Sequence, residues 1–239
     1  MSQEVEYIDW GLMDYKEAWE KQKRLFNASV EQKRAAANAA IPQRFIVCEH
    51  PHVYTLGRNG QVNNMLISED FLQNINASFY RIERGGDITY HGPGQVVGYP
   101  ILDLSQLKLS VKDYVHCIED AIIQTLSDYG IQASRMAGAT GVWLDATGTN
   151  PRKICAIGIR VSRHITMHGF ALNVNTDLSY FSHINPCGFV DKGVTSLSEE
   201  LRKPVDIEEV KRRVYAHFTS RYKTSKTPPP AHLQQKSLR

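Results

Sequence analysis

The sequence predicts an α+β domain with mixed or antiparallel sheets flanked by helices, on three observations. Strand-like segments come in groups, some joined by turn-rich loops, and do not alternate one by one with helices as a doubly wound parallel sheet requires. Amphipathic helical patterns bracket those groups near both ends and in the middle of the chain. A chain of 239 residues, 42% hydrophobic and 22% charged, is large enough to bury about 70% of its unfolded surface without disulfides or a structural metal.

Val5 to about Trp10 reads as a first strand, and Met13 to about Phe26 as an amphipathic helix that the Ala-rich stretch to Ala40 can extend. Pro42 ends it, and Arg44 to Glu49 is rich in β-formers. A Gly57-Arg58-Asn59-Gly60 turn, a short helix from Ser68 and an alternating strand, Ser78 to Ile82, follow. The clearest helix runs from Ser110 to Tyr129, with Ser110 and Asp113 as a capping box and Gly130 as its stop. Gly141 to Leu144 and Lys153 to Ile159 flank a polar loop as a hairpin does, and Ile165 to Val174 supplies the next strand. A last helix spans about Asp206 to Tyr222, with Asp206 and Glu209 as a second capping box. Residues 1–222 are expected to form one domain, and the Pro-rich stretch 223–239 a disordered tail.

Several classes are excluded. No apolar run approaches the roughly 18 to 20 residues of a membrane-spanning helix. The acidic start, Met1 to Glu6, lacks the pattern of a leader, so the cytoplasm is the expected compartment. A net charge of +3 is too small for a dedicated nucleic-acid binder. Cys48, Cys117, Cys155 and Cys187 lie more than thirty residues apart, which gives neither a zinc nor a redox pair, and no metal is expected. Between Asp145 and Asp177 there is no acidic residue, whereas Arg152, Lys153, Arg160, Arg163, His164 and His168 fall there, a candidate face for an acidic partner.

Three segments carry candidate chemistry. Arg84 to Gln95 holds four glycines in twelve residues: either a tight pair of β-turns or a loop wrapped round an extended apolar or acyl ligand, with Arg84 and His91 as polar anchors. It has neither the spacing of a dinucleotide fingerprint nor the Gly-Lys-Ser/Thr of a P-loop. Lys153 sits on a strand, where lysine is ordinarily an edge residue in solvent, and strict alternation gives it the same face as Cys155. Cys155 itself reads as a small buried hydrophobe. Cys187, bracketed by turn residues in Ile184-Asn185-Pro186-Cys187-Gly188, is incidental or reactive, and reactivity requires a nearby cation to hold the thiolate.

Taken together, Arg84-Gly85-Gly86 through His91-Gly92-Pro93-Gly94-Gln95, Lys153-Ile154-Cys155-Ala156-Ile157-Gly158, His168-Gly169-Phe170-Ala171-Leu172-Asn173-Val174 and the Cys187 segment resemble the lipoyl(octanoyl) transferase family. His50-Pro51 and Thr55-Leu56-Gly57-Arg58 resemble its earlier motif, and the likeness runs in order from about Glu49 to Leu197. The resemblance implies the biotin/lipoate protein ligase-like catalytic fold. It implies transfer of an octanoyl group from octanoyl-acyl carrier protein to the lysine of a lipoyl domain, in 2-oxoacid dehydrogenases or the glycine cleavage H protein, with no cofactor.

By the same resemblance Cys187 is the nucleophile and Lys153 lowers its pKa. The acyl chain would lie against Arg84, Gly85, Gly86, Asp87, Ile88, Thr89, Tyr90 and His91, against Ala156, Ile157 and Gly158, and against Gly169, Phe170 and Ala171. Gly158, Gly169 and Ala171 are expected to leave a slot for it, reshaped by Phe170 where the family has leucine. The rival readings are an ATP-dependent lipoate or biotin ligase, in which Cys187 has no role, and a non-catalytic acyl or carrier-protein binding module.

Overall fold

The computed structural model describes residues 4–185 and 192–224. Three features of the chain position the site: a long central sheet, a small sheet facing it, and helices that cover the sheet's outer surfaces.

The N-terminal strand β1 (Val5–Leu12) leads into α1 (Tyr15–Ala35), whose first turn is capped by the Asp14 carboxylate accepting from the Lys16 and Glu17 amides. β2 (Gln43–Glu49) returns parallel to β1. A smaller unit follows: β3 (Val53–Leu56), α2 (Glu69–Asn74), β4 (Ser78–Arg81) and β5 (Ile88–His91). Its sheet has the order β4-β3-β5. β6 (Gln95–Ile101) re-enters the main sheet, then come α3 (Leu104–Leu107) and α4 (Val111–Asp128). Three antiparallel strands, β8 (Ala139–Leu144), β9 (Arg152–Ser162) and β10 (Ile165–Asn173), follow the short β7 (Ser134–Met136). β11 (Gly193–Val194), α5 (Leu197–Leu201) and α6 (Ile207–Thr224) complete the fold.

The main sheet runs β1-β2-β6-β10-β9-β8-β7, with β11 beside β9. Its parallel β1–β2 and β11–β9 pairs among otherwise antiparallel neighbours make it mixed, in keeping with the expected α+β class. One face packs on α4 and α6 through a core that includes Phe45, Ile118, Ile122, Cys155, Phe170, Leu172 and Phe218. The other face meets α1 through Ala18, Phe26, Ile46, Val97 and Met167.

The capping box at Ser110 forms as expected: Ser110 Oγ accepts from the Asp113 amide at 3.1 Å, and the Asp113 carboxylate accepts from the Ser110 amide at 3.2 Å. The second box is only half made. Asp206 accepts from the Glu208 amide, but the Glu209 carboxylate turns to Arg213. The Ala-rich stretch carries α1 only to Ala35. The last helix continues to Thr224, two residues into the expected tail, and the rest of that stretch lies outside the described residues. Among the described residues no helix is long and apolar enough to cross a membrane, and no cluster of three metal-ligating side chains occurs.

Candidate active site

A cavity of about 940 Å³ opens between the small sheet and the α1-side face of the main sheet. Every candidate from the sequence that lies in the described residues borders it except Tyr90. The Tyr90 ring turns into the small core with Tyr54, and its hydroxyl pairs with His52 Nδ1 at 2.7 Å. β5 alternates, so Thr89 and His91 take the cavity side when Tyr90 takes the other.

Lys153 reaches the cavity through a β-bulge. Val142 pairs with Cys155 but the next residue, Trp143, pairs with Lys153, so β9 carries one extra residue. Ile154 and Cys155 therefore both face the α4–α6 core, and Lys153 turns to the cavity with Ala156. The expectation that Lys153 shares a face with Cys155 is corrected by that inserted residue. Cys155 is 0% exposed and burial pushes its thiol far up, which suits a core residue and not a nucleophile. Cys48 and Cys117 are likewise free and buried.

Cys187 lies outside the described residues. The chain on either side of it is well placed. Asn185 donates to the Asn64 carbonyl at 2.8 Å, and Val194 pairs directly with Lys153. Asn185, Lys192 and Gly193 line the same cavity as Lys153.

The glycines have a different use from the one expected. A Cβ on Gly158 would meet the Gly85 carbonyl oxygen at 2.8 Å and Arg84 Cδ at 3.1 Å. The 84–86 turn thus lies directly on β9, held by the Gly85 amide donating to the Ile159 carbonyl at 2.9 Å. A Cβ on Gly169 would stand 2.2 Å from the Gly98 carbonyl oxygen. These two glycines admit backbone, and the methyls of Ala156 and Ala171 remain to wall the cavity. Phe170 borders the cavity, but its ring is turned away, lying across Gly98 and 6.0 Å from Phe45 in the opposite core.

Arg84 is buried and holds the loop together. Its guanidinium donates to the Thr55 carbonyl at 2.6 Å, to Thr55 Oγ1 and to the Gly85 carbonyl. Asp87 closes the same loop, accepting from the Ile88 amide and from Asn64 Nδ2. Both act as structural ties, Arg84 from the turn to Thr55 of β3 and Asp87 from the turn to Asn64.

His91 has a defined tautomer. Asn173 Nδ2 donates to the Thr195 carbonyl, which leaves Asn173 Oδ1 to accept from Gln95 Nε2 at 2.9 Å. Gln95 Oε1 is then the acceptor for His91 Nδ1–H at 2.8 Å, and His91 Nε2 keeps its lone pair. Burial lowers the pKa of His91 to about 3, of His168 to about 3 and of His50 to about 4, with Arg84 adding to the effect on the first two. The three rings are neutral at pH 7, so His91 suits orientation better than proton relay. His168 adopts φ +60°, and among the described residues its buried Nε2 has no hydrogen-bond partner.

The acid-free window does not make a continuous basic face. Arg152 forms a bidentate pair with Glu200, Arg160 pairs with Glu83, and Lys153 and His168 face the cavity. Only Arg163 and His164, both in the β9–β10 turn, remain exposed. Acids distant in sequence neutralise what the window gathers.

Sequence reasoning missed Trp143, Tyr15 and Tyr99, which also line the cavity. Trp143 had one available signal, its place on the strand opposite Lys153 in the expected hairpin. Tyr15 and Tyr99 stand in no motif that would set them apart from core aromatics.

The chain was also compared with known proteins. The family described as "Lipoyl protein ligase A/B catalytic domain" matches residues 14–219. An octanoyltransferase of Bacteroides thetaiotaomicron is 56% identical over 207 residues, covering 87% of this chain and 90% of that protein. One from Christiangramia forsetii is 52% identical over 223 residues, covering 91% and 95%. Among solved structures, a lipoate-protein ligase A bound with ATP superposes with a TM-score of 0.64 at 16% identity, over 93% of this chain and 86% of that one. The bipartite lipoate protein ligase of Thermoplasma acidophilum gives 0.67 at 16%, over 92% and 84%. At such identities these two establish the fold alone.

Proposed function

The chain belongs to the lipoyl protein ligase A/B catalytic domain family and is an acyltransferase of protein lipoylation, and from that premise we propose a two-step transfer through Cys187 and Lys153 within residues 1–222. The donor is octanoyl-acyl carrier protein. The acceptor is the lysine of a lipoyl domain, in a 2-oxoacid dehydrogenase or the glycine cleavage H protein, and the proposed compartment is the cytoplasm.

In the first step the Cys187 thiolate attacks the carrier's thioester carbonyl. A new C–S bond forms, the bond to the carrier breaks, and the departing sulfur takes a proton from the Lys153 ammonium. In the second, the acceptor amine attacks the octanoyl-cysteine and gives its proton to the now neutral Lys153. A C–N bond replaces the C–S bond and thiolate and ammonium are restored. Thioester exchange is nearly neutral in free energy and amide formation from a thioester is downhill, so the sequence needs no nucleotide.

One observation carries this reading: Lys153 faces the cavity beside β11, and the residues on both sides of the segment containing Cys187 border that cavity. The acyl chain then lies along Ala156 and Ala171, beneath the loop from Arg84 to His91. Mixing the protein with octanoyl-acyl carrier protein and no ATP, followed by intact mass and peptide mapping, should show one octanoyl group on Cys187, absent in Cys187→Ala. Acylation that occurs only with free octanoate and ATP would replace this reading with a ligase. A label on Cys155 would overturn the assignment of the nucleophile.

A further inference from the structure

Trp143 is 2% exposed, yet it belongs to the cavity wall and not to the core beneath the sheet, which takes its neighbours Val142 and Leu144. Its indole Nε1–H donates to the Ala139 carbonyl at 3.0 Å, which fixes the plane of the ring. The bulge in β9 sets Lys153 directly opposite, and Lys153 Nζ lies 4.6 Å from the ring centroid, over the π face. Gly141, at φ +121°, lies beside the lysine stem: a Cβ there would clash with the Cys155 carbonyl oxygen at 2.5 Å and would stand in ordinary contact, 3.6 Å, with Lys153 Cε.

A cation over an indole face is attracted to the ring's quadrupole, and a neutral amine is not. The contact therefore discriminates between the two protonation states of Lys153, and it is made by a buried ring whose orientation the backbone fixes.

We propose that Trp143 is a positioning residue for the transfer, holding Lys153 extended into the cavity as its ammonium. This inference rests on the reading of Lys153 as the acid–base partner of the transfer. Trp143 favours the ammonium that faces a thiolate at rest. When the lysine gives its proton to the leaving sulfur that attraction is lost, and it returns once the acceptor amine has been deprotonated. The ring thus biases the resting state toward the charged pair and draws the proton from the acceptor. Charged or titratable groups around this stretch, among the described residues, include Glu119 of α4, held by the Gly141 amide and Arg135, then Lys192 before β11, the Arg152–Glu200 pair, and Cys155 through the strand. A substitution at Trp143 leaves each of them in place.

The test is an NMR titration of the full chain labelled with 13C,15N-lysine, the Lys153 resonance being assigned with Lys153→Arg. Trp143→Leu keeps the site apolar and removes the quadrupole, so the Lys153 pKa should fall by about one unit. Trp143→Phe should lower it by less than half as much. An unchanged Lys153 pKa in a Trp143→Leu protein that melts cooperatively overturns the proposal. Should that variant fail to fold, Trp143→Phe carries the test, since a benzene face is weaker than indole and no shift at all again overturns it. The pH profile of octanoyl transfer, measured on the same proteins, should move with the lysine titration. A profile that stays put while the titration moves overturns the acid–base reading of Lys153, and with it Trp143's part in the transfer, but not the contact itself.

Discussion

The two faces of the main sheet are built from the same strands and obey opposite rules. On the α4–α6 side β9 and β10 present Cys155, Phe170 and Leu172, packed against Phe45 and Phe218 with almost no exposure. On the cavity side the same strands present Ala156, Gly158, Gly169, Ala171 and Lys153. The first face is filled to closure and supplies stability. The second leaves part of its volume open and the rest to backbone, polar rings and one lysine. A single inserted residue in β9 decides which face receives the lysine, so packing and chemistry can be changed separately.

The widest separation should come from paired truncations. Lys153→Ala is expected to slow octanoyl transfer by about 10²–10⁴-fold, the usual range for a lost acid–base group, with little change in melting temperature. Phe218→Ala should do the reverse. Its ring lies 4.9 Å from that of Phe45 and is 0% exposed, so truncation should cost about 3–5 kcal/mol in denaturant unfolding. The rate per folded molecule should stay near wild type, and a slow but fully stable Phe218→Ala protein would break the division between the faces.

Acid should weaken the cavity side first. His50, His91 and His168 hold folded pKa values of about 4, 3 and 3 against an unfolded value near 6.5. Between those limits the unfolded chain binds more protons, so stability is undiminished above about pH 6.5 and declines as pH falls toward 4. At pH 5 each histidine should account for roughly 2 kcal/mol of that decline, and His168→Asn should flatten the pH dependence of the urea midpoint. A midpoint equally steep in the variant would remove His168 from the account.

Gly158→Ala tests the contact between loop and strand. The added methyl meets the Gly85 carbonyl oxygen, so the 84–86 turn must shift. Stability should fall by about 1–3 kcal/mol and KM for the donor should rise. The smallest effect is expected from Phe170→Leu, under about 1.5 kcal/mol in stability, with acyl-chain preference unchanged, because that ring packs on Gly98 and Phe45 in the opposite core. A changed chain-length preference would give the ring a part in shaping the acyl site.

Much of this was legible in the sequence where the signal is local. The Ser110–Asp113 cap, the period of α4 and the hairpin around Lys153 each depend on residues close in the chain. The class of fold follows from how those elements group. What escaped depends on distance or on counting. Alternation along β9 cannot show that Ile154 is an extra residue, so Lys153 was assigned to the wrong face. Glu83 and Glu200 lie far from the basic window they neutralise. Small residues look alike whether they admit a ligand or a neighbouring backbone, and only the approach of Gly85 and Gly98 separates Gly158 and Gly169 from Ala156 and Ala171. Two-residue β11 carries no pattern at all, although it borders Lys153.

The hydrogen-bond chain from Thr195 to His91 makes one ring a gauge. The Thr195 carbonyl orients Asn173, Asn173 orients Gln95, and Gln95 decides which nitrogen of His91 carries hydrogen. Thr195 in turn donates its own amide to the Lys153 carbonyl at 3.0 Å. Any event that draws β11 away from β9 would release this relay and let the imidazole redistribute its proton. The 15N shifts of one histidine at the end of β5 would thus report, without a label on the reacting groups, whether the strand beside Lys153 is docked or displaced.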